Sequence, residues 1–189
     1  MAETALKYVT AEEYLEMERK ATQKHEYYKG EIFVMPGATL KHNTIQQNFC
    51  RRTGNFLEGK ACRVIGSDLR VHIPPHSLYT YPDAIIVCGK PQLLDEELDT
   101  LLNPVVLVEI LSKSTQTYDR GDKFMMYRDI ASLKEYILIG SETVSVEHFT
   151  KQENGTWLLE EIKNISGMLH VRSIDFSLPL TQLYEGVEG

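Results

Sequence analysis

Apolar residues along this chain come mostly in short, β-branched runs separated by polar stretches that carry Gly or Pro. The strongest runs are Ala84-Ile85-Ile86-Val87 and Val105-Val106-Leu107-Val108-Glu109-Ile110-Leu111. Both are continuous and too short for typical helices, so they predict buried strands. Weaker strands are predicted at residues 31–35, 63–65, 68–73, 135–139, 144–150, 156–162 and around 169–171. Asn154-Gly155 separates two of these and predicts a hairpin, because both turn residues tolerate positive φ.

Helical signals are fewer. Thr10-Ala11-Glu12-Glu13 has the capping-box form and starts a helix expected to reach about Lys24. Residues 42–58 place Ile45, Phe49, Phe56 and Leu57 near helical spacing, and Gly59 is a plausible stop. A third helix is expected from Thr117 or Asp119 to about Ile130, and a helical turn at 180–184. Tyr27-Tyr28-Lys29-Gly30 reads as a turn, Pro36-Gly37 as a break, and 89–103 as a polar connection with room for a short helix. No repeat, low-complexity tract or Pro/Ser-rich linker interrupts this order. The pattern predicts one α/β domain over 1–189, a mixed central sheet flanked by helices with an added hairpin.

Composition narrows the class. Hydrophobic content of 42% and charged content of 25% over 189 residues are ordinary for a globular chain with a substantial core. No apolar stretch approaches the ~20 residues that span a bilayer. The segment from Met1 to Lys20 holds five glutamates and does not read as a signal peptide. Cys50, Cys62 and Cys88 are odd in number and lack CxxC spacing. Reduced thiols in a cytoplasmic protein are the expectation. A net charge of −7 argues against an indiscriminate nucleic-acid binder, whose affinity comes from neutralising phosphates. A local basic face remains open, since Lys41, Arg51, Arg52, Lys60 and Arg63 gather in one segment and Asp95, Glu96, Glu97 and Asp99 in another. A solvated helix face and an acidic loop explain these clusters equally well.

The candidate chemistry lies in the two strong runs. Pro82-Asp83 opens the first, and Glu109 interrupts the second. An ionised carboxylate buried there costs several kcal/mol unless a positive group sits beside it. Two such acids on neighbouring strands make a site for a divalent cation. Strand alternation puts Val105, Leu107, Glu109 and Leu111 on one face, with Glu109 in the place of a core aliphatic. The bland alternatives are a Glu109 that reaches solvent or pairs with an arginine, and an Asp83 that marks a loop-to-strand junction. Asp119, Lys123 and Tyr127 are spaced four apart on one predicted helix face. Lys123 either pairs with Asp119 in water or points at the two acids.

Pro82-Asp83, Glu109-Ile110-Leu111-Ser112 with Ser114-Thr115, Asp119…Lys123…Tyr127 and Glu135-Tyr136 together resemble the Uma-two family of restriction-endonuclease-like proteins, within the PD-(D/E)XK nuclease superfamily. His25-Glu26-Tyr27-Tyr28-Lys29-Gly30-Glu31 looks like the family's first-helix Glu and following turn. Pro36 to His42 resembles its Pro…His segment, and Ser67-Asp68-Leu69-Arg70-Val71 its next strand. Two departures stand out. The superfamily lysine usually follows the acid by two residues, where this chain has Leu111; the resemblance moves that role to Lys123, with Lys113 as the rival. Ile130-Ala131-Ser132-Leu133-Lys134 replaces the family's more usual Gly-Val-Pro turn.

The resemblance implies a restriction-endonuclease-like fold and a Mg²⁺- or Mn²⁺-dependent endonuclease acting on nucleic acid, DNA first. Its implied site residues are Asp83 and Glu109 as metal ligands, Lys123 beside the attacking water, Glu26 as an upstream acid and His42 near phosphate. A homodimer is implied too, since double-strand cleavage is served by two sites. The alternatives are a non-cleaving nucleic-acid-binding or regulatory module, a partner-binding protein whose acids pair with arginines such as Arg70, and a hydrolase of small phosphate esters.

Overall fold

The structure, a computed structural model, describes residues 8–113 and 115–187. Helix α1 (Ala11–Glu18) begins as its capping box requires: the Thr10 hydroxyl accepts from the Glu13 amide, and the Glu13 carboxylate accepts from the Thr10 amide. It ends well short of Lys24, because Tyr14, Leu15 and Glu18 are buried while residues 19–23 are exposed and offer nothing to the core. Strands β1 (His25–Tyr28) and β2 (Glu31–Val34) then form a hairpin. Lys29 and Gly30 close it at φ 48° and 95°, a two-residue turn matched to strand twist. Tyr27 and Tyr28, expected in the turn, are strand residues. The Tyr27 ring stacks on Tyr14 and meets Tyr79 edge-on, and this packing outweighs the local turn signal.

Helix α2 (Leu40–Leu57) starts earlier than the apolar spacing predicts, capped by the Thr39 hydroxyl, which accepts from the His42 amide. Gly59 follows at φ 72°, as a C-terminal stop should. Next come β3 (Cys62–Gly66), β4 (Arg70–Ile73), β5 (Leu78–Thr80), β6 (Ala84–Cys88), β7 (Thr100–Leu101) and β8 (Val106–Leu111). The expected helix is present as α3 (Gln116–Tyr118), a π-helical turn (Asp119–Lys123) and α4 (Phe124–Tyr127). The chain continues through β9 (Glu135–Gly140), β10 (Val146–Lys151), β11 (Trp157–Ile162), β12 (Met168–Val171), β13 (Phe176–Pro179) and α5 (Leu180–Leu183).

One mixed sheet was the expectation; two are present, with a two-stranded ribbon β12-β13 beside them. The larger runs β11-β10-β9-β8-β6-β3, with β8 and β9 parallel and its other pairs antiparallel. The second runs β2-β1-β5-β4-β7, with only β4 and β7 parallel. Strands β5 and β7 are too short to show a period in sequence. Residues 89–103 hold β7 and a bridge between Leu93 and Leu101 instead of the short helix. The β10-β11 hairpin closes through 152–156, where Gly155 takes positive φ and the Asn154 side chain accepts from the Thr156 amide and hydroxyl.

The large sheet carries a core on each face. Val106, Val108 and Ile110 pack with Ile86, Ile137 and Ile139 under Ile45 and Phe49 of α2. Leu107 and Leu111 face the other way, with Ile85, Val87, Tyr136, Met126 and Tyr127. Glu109 therefore lies on the α4 side with Leu107 and Leu111, as alternation predicts; Val105, expected on that face too, precedes β8 and packs against the first core instead. The variant segment at 130–134 is the loop between α4 and β9, with Ile130 and Leu133 buried in this second core.

The cysteine expectation is corrected. Cys62 and Cys88 are register partners across β3 and β6 and are joined by a disulfide, leaving Cys50 as the free thiol. Strand register, invisible to Cys spacing, brings them together, and it removes the ground on which the cysteines pointed to the cytoplasm. Among the described residues no helix is long and apolar enough to cross a membrane.

Candidate active site: one buried lysine among carboxylates

Asp83 sits where the chain enters β6, next to β8 in the large sheet. Its Oδ2 accepts from the Ile110 amide at 2.7 Å and lies 3.2 Å from His42 Nε2. One turn along α2 from His42, Gln46 Nε2 donates to the Asp83 carbonyl at 2.7 Å. The acid is thus fixed from β8 and from α2 at once.

Glu109 is 5% exposed. Its Oε1 accepts from the Tyr127 hydroxyl at 2.8 Å and stands 3.0 Å from Lys123 Nζ. Lys123 also reaches Glu26 Oε1 at 3.1 Å and Asp119 Oδ1 at 3.7 Å. The sequence placed Glu26 at a helix end; it stands on β1 instead, where its carboxylate accepts from the Thr80 hydroxyl of β5. The π-helical turn aims Asp119 and Lys123 inward together, and the Tyr136 hydroxyl donates to the Asp119 carbonyl at 3.1 Å. Such wide turns frequently occur at functional sites.

The rival arrangements are not what the chain builds. Arg70 donates to Thr100 and Tyr81 and pairs with Asp99, so its guanidinium does not fill the space between Asp83 and Glu109. Lys113 is exposed on the rim beyond the end of β8, whereas Lys123 touches Glu109. Ser114 lies outside the described residues. Gln46, Thr80 and the Tyr127–Glu109 bond were missed by sequence reasoning. Gln46 was within reach of it, four residues after His42 on one helix face.

The charges do not balance. Burial pushes the Glu109 carboxyl up to about 8; Lys123 opposes that shift, and Asp119 and Asp83 reinforce it. Burial also raises Asp119. Burial alone would lower the Lys123 ammonium, but Glu109, Glu26, Tyr127 and Asp119 outweigh it and hold the amine charged. One ammonium, that of Lys123, serves three carboxylates, Glu26, Glu109 and Asp119, while Asp83 stands beside His42. Asp83 and Glu109 are hard oxygen donors on neighbouring strands. That donor chemistry fits a divalent cation that keeps several waters. Among the described residues no three His, Cys, Asp or Glu side chains form a complete cage by themselves, so water would fill the remaining positions. The acids line a cleft of about 910 Å³ together with Phe33, His42 and Tyr118.

Mixed sheets flanked by helices in this order make a restriction-endonuclease-like α/β fold. Residues 11–181 match the model of the Uma2 family, described as "Putative restriction endonuclease", and the chain belongs to that family. It is 33% identical over 179 residues to "Uncharacterized protein slr1290" of Synechocystis sp. (strain ATCC 27184 / PCC 6803 / Kazusa), covering 95% of this chain and 93% of that protein. It is 35% identical over 162 residues to "Uncharacterized protein sll1609" of the same strain, covering 86% and 92%. A crystal structure of "a putative nuclease belonging to DUF820 from Anabaena variabilis ATCC 29413" superposes with a TM-score of 0.77 at 19% identity, over 95% of this chain and 99% of that one. At that identity the likeness speaks for the fold.

Proposed function

We propose that this chain is a metal-dependent endonuclease hydrolysing phosphodiester bonds, in DNA first, with a PD-(D/E)XK-type site whose lysine comes from a helix. In this reading Asp83 and Glu109 hold Mg²⁺ or Mn²⁺, which when bound polarises the phosphodiester and lowers the pKa of coordinated water. The chain's own groups do the rest. Lys123 presents a fixed positive charge where negative charge develops on the phosphate. The Tyr127 hydroxyl and the Ile110 amide hold the two acids in orientation. Glu26 keeps the Lys123 amine on the cleft side, and His42, beside Asp83, reaches toward phosphate. Two such sites in a homodimer would serve both strands of a duplex.

The observation that carries this reading is the 3.0 Å contact between Lys123 and Glu109 in a cleft that also holds Asp83. It is tested with purified protein, plasmid and oligonucleotide substrates and Mg²⁺ or Mn²⁺. Metal-dependent cleavage lost in Asp83→Ala and Glu109→Ala is the expected result. Cleavage undiminished in both variants removes these residues from the site, and hydrolysis of a chromogenic phosphoester but not of DNA replaces the substrate. One observation favours a second reading, a nucleic-acid-binding or regulatory module that does not cleave: the net charge of −7. Binding without metal-dependent nicking selects it.

A further inference from the structure

Phe33 of β2 is the register partner of Glu26 on β1. Directly opposed residues on antiparallel strands share a face, with Cβ atoms about 5 Å apart. Glu26 in turn touches Lys123. This register sets an aromatic ring, 47% exposed, at the edge of the candidate active site. Met35 and Pro36 extend the same apolar wall of the cleft. An isolated exposed phenylalanine is ordinary, but this one faces the acids and the lysine.

The charges of the cleft point the same way. Its lining holds the carboxylates of Glu26, Asp83, Glu109, Asp119 and Glu142 against the amines of Lys24, Lys113 and Lys123. Lys123 is buried among acids, and Lys24 is engaged with Asp68 and the Ser67 carbonyl. A protein that grips a duplex by its backbone needs several cations free to neutralise phosphates, and among the described residues the amines of this cleft leave Lys113, exposed on the rim, for that role. Beyond the contacts at the scissile phosphate itself, the faces of bases are the remaining source of affinity, and paired, stacked bases hide those faces. Aromatic side chains supply that contact to single strands whatever the base.

We propose that the site takes an unpaired nucleic-acid strand, and that a base next to the scissile phosphate stacks on Phe33. This rests on the nuclease reading and names its substrate class: single-stranded segments, flaps or frayed ends in preference to continuous duplex.

The test measures binding and cleavage separately. Fluorescence anisotropy with a labelled single-stranded oligonucleotide and with its duplex, in Ca²⁺, gives affinities for wild type, Phe33→Ala and Phe33→Trp. Wild type is expected to bind the single strand more tightly than the duplex. Phe33→Ala is expected to weaken single-strand binding by roughly 5- to 150-fold with little effect on duplex, and Phe33→Trp to restore it. An unchanged melting temperature in both variants, fitting for a half-exposed side chain, ties the loss to stacking. Equal affinities for wild type and Phe33→Ala, or tighter binding of duplex, overturn the proposal. If duplex is then cleaved with Mg²⁺ at the wild-type rate by Phe33→Ala, the nuclease reading survives and only the stacking role falls. If wild type neither binds nor cleaves nucleic acid, both fall.

Discussion

Lys123 Nζ and Glu109 Oε1 lie 3.0 Å apart, both about 5% exposed, with the lysine on a π-helical turn and the acid in the middle of the large sheet. Neither group is tolerable there alone. An ammonium or carboxylate left without its partner in such surroundings destabilises by about 3–5 kcal/mol. Lys123→Met should therefore abolish phosphodiester cleavage and also lower the midpoint of chemical denaturation at neutral pH. Lys123→Arg should not restore cleavage, because a planar fork does not replace a compact ammonium. Undiminished cleavage in Lys123→Met would exclude the lysine from the chemistry.

The raised carboxyl of Glu109 makes stability depend on pH. Its value of about 8 compares with 4.5 for an ordinary glutamate, so between these limits the folded state keeps a proton that the unfolded state releases. Metal-free stability should then fall as pH rises from about 5 to 8. Asp119, also raised, contributes with the same sign. Thermal melts in a chelator, repeated with Glu109→Gln, check this: the variant should show a clearly shallower decline. A wild-type melting temperature that climbs steadily over that range would contradict the assignment.

Tyr127→Phe removes one hydroxyl and little else, since the ring remains packed against Tyr136. The Glu109 oxygen it served keeps Lys123 but loses an orienting donor. Groups in this position typically alter metal affinity by about 10- to 100-fold. Calorimetric titration of Mn²⁺ should show a weakening of that order, with a stability loss near 1 kcal/mol. Equal Mn²⁺ affinity in both proteins would mean that the Tyr127 hydroxyl does not orient a metal ligand.

Much of this site was legible because it depends on local patterns. Asp83 and Glu109 stand out as charges within β-branched runs, and the spacing of Asp119, Lys123 and Tyr127 survives the π-helical turn. What was not legible depends on register and on contacts between distant segments. Glu26 reaches Lys123 only because β1 pairs with β2 and β5, and a four-residue strand ending in Tyr-Tyr-Lys-Gly reads locally as a turn. Cys62 and Cys88 meet because β3 and β6 align, which no cysteine spacing encodes. Thr80 and the second sheet were missed for the same reason: β5 is three residues long, too short for any period to appear.

Glu135, fully buried on β9, shows how a residue of the family pattern can matter without touching the cleft. Its carboxylate lies 2.6 Å from His148 Nε2 on β10 and accepts from the backbone amides of Arg172 and Ser173, at 3.0 and 2.6 Å, in the turn after β12. Burial alone would raise its pKa; the bonds from His148 and Ser173 outweigh that and lower it. A lowered carboxyl contributes stability that is present above its unfolded value, near 4.5, and is lost as pH falls below it. Glu135→Gln keeps the shape but gives up the charge that three donors converge on, so it should cost about 2–3 kcal/mol in urea denaturation at neutral pH. The acid limb of the stability profile should flatten in the same variant. Cleavage per folded molecule should match wild type, because none of these groups lines the cleft. A variant as stable as wild type, or one that loses activity while fully folded, would show that this cluster does something other than tie β9 to β10 and the turn after β12.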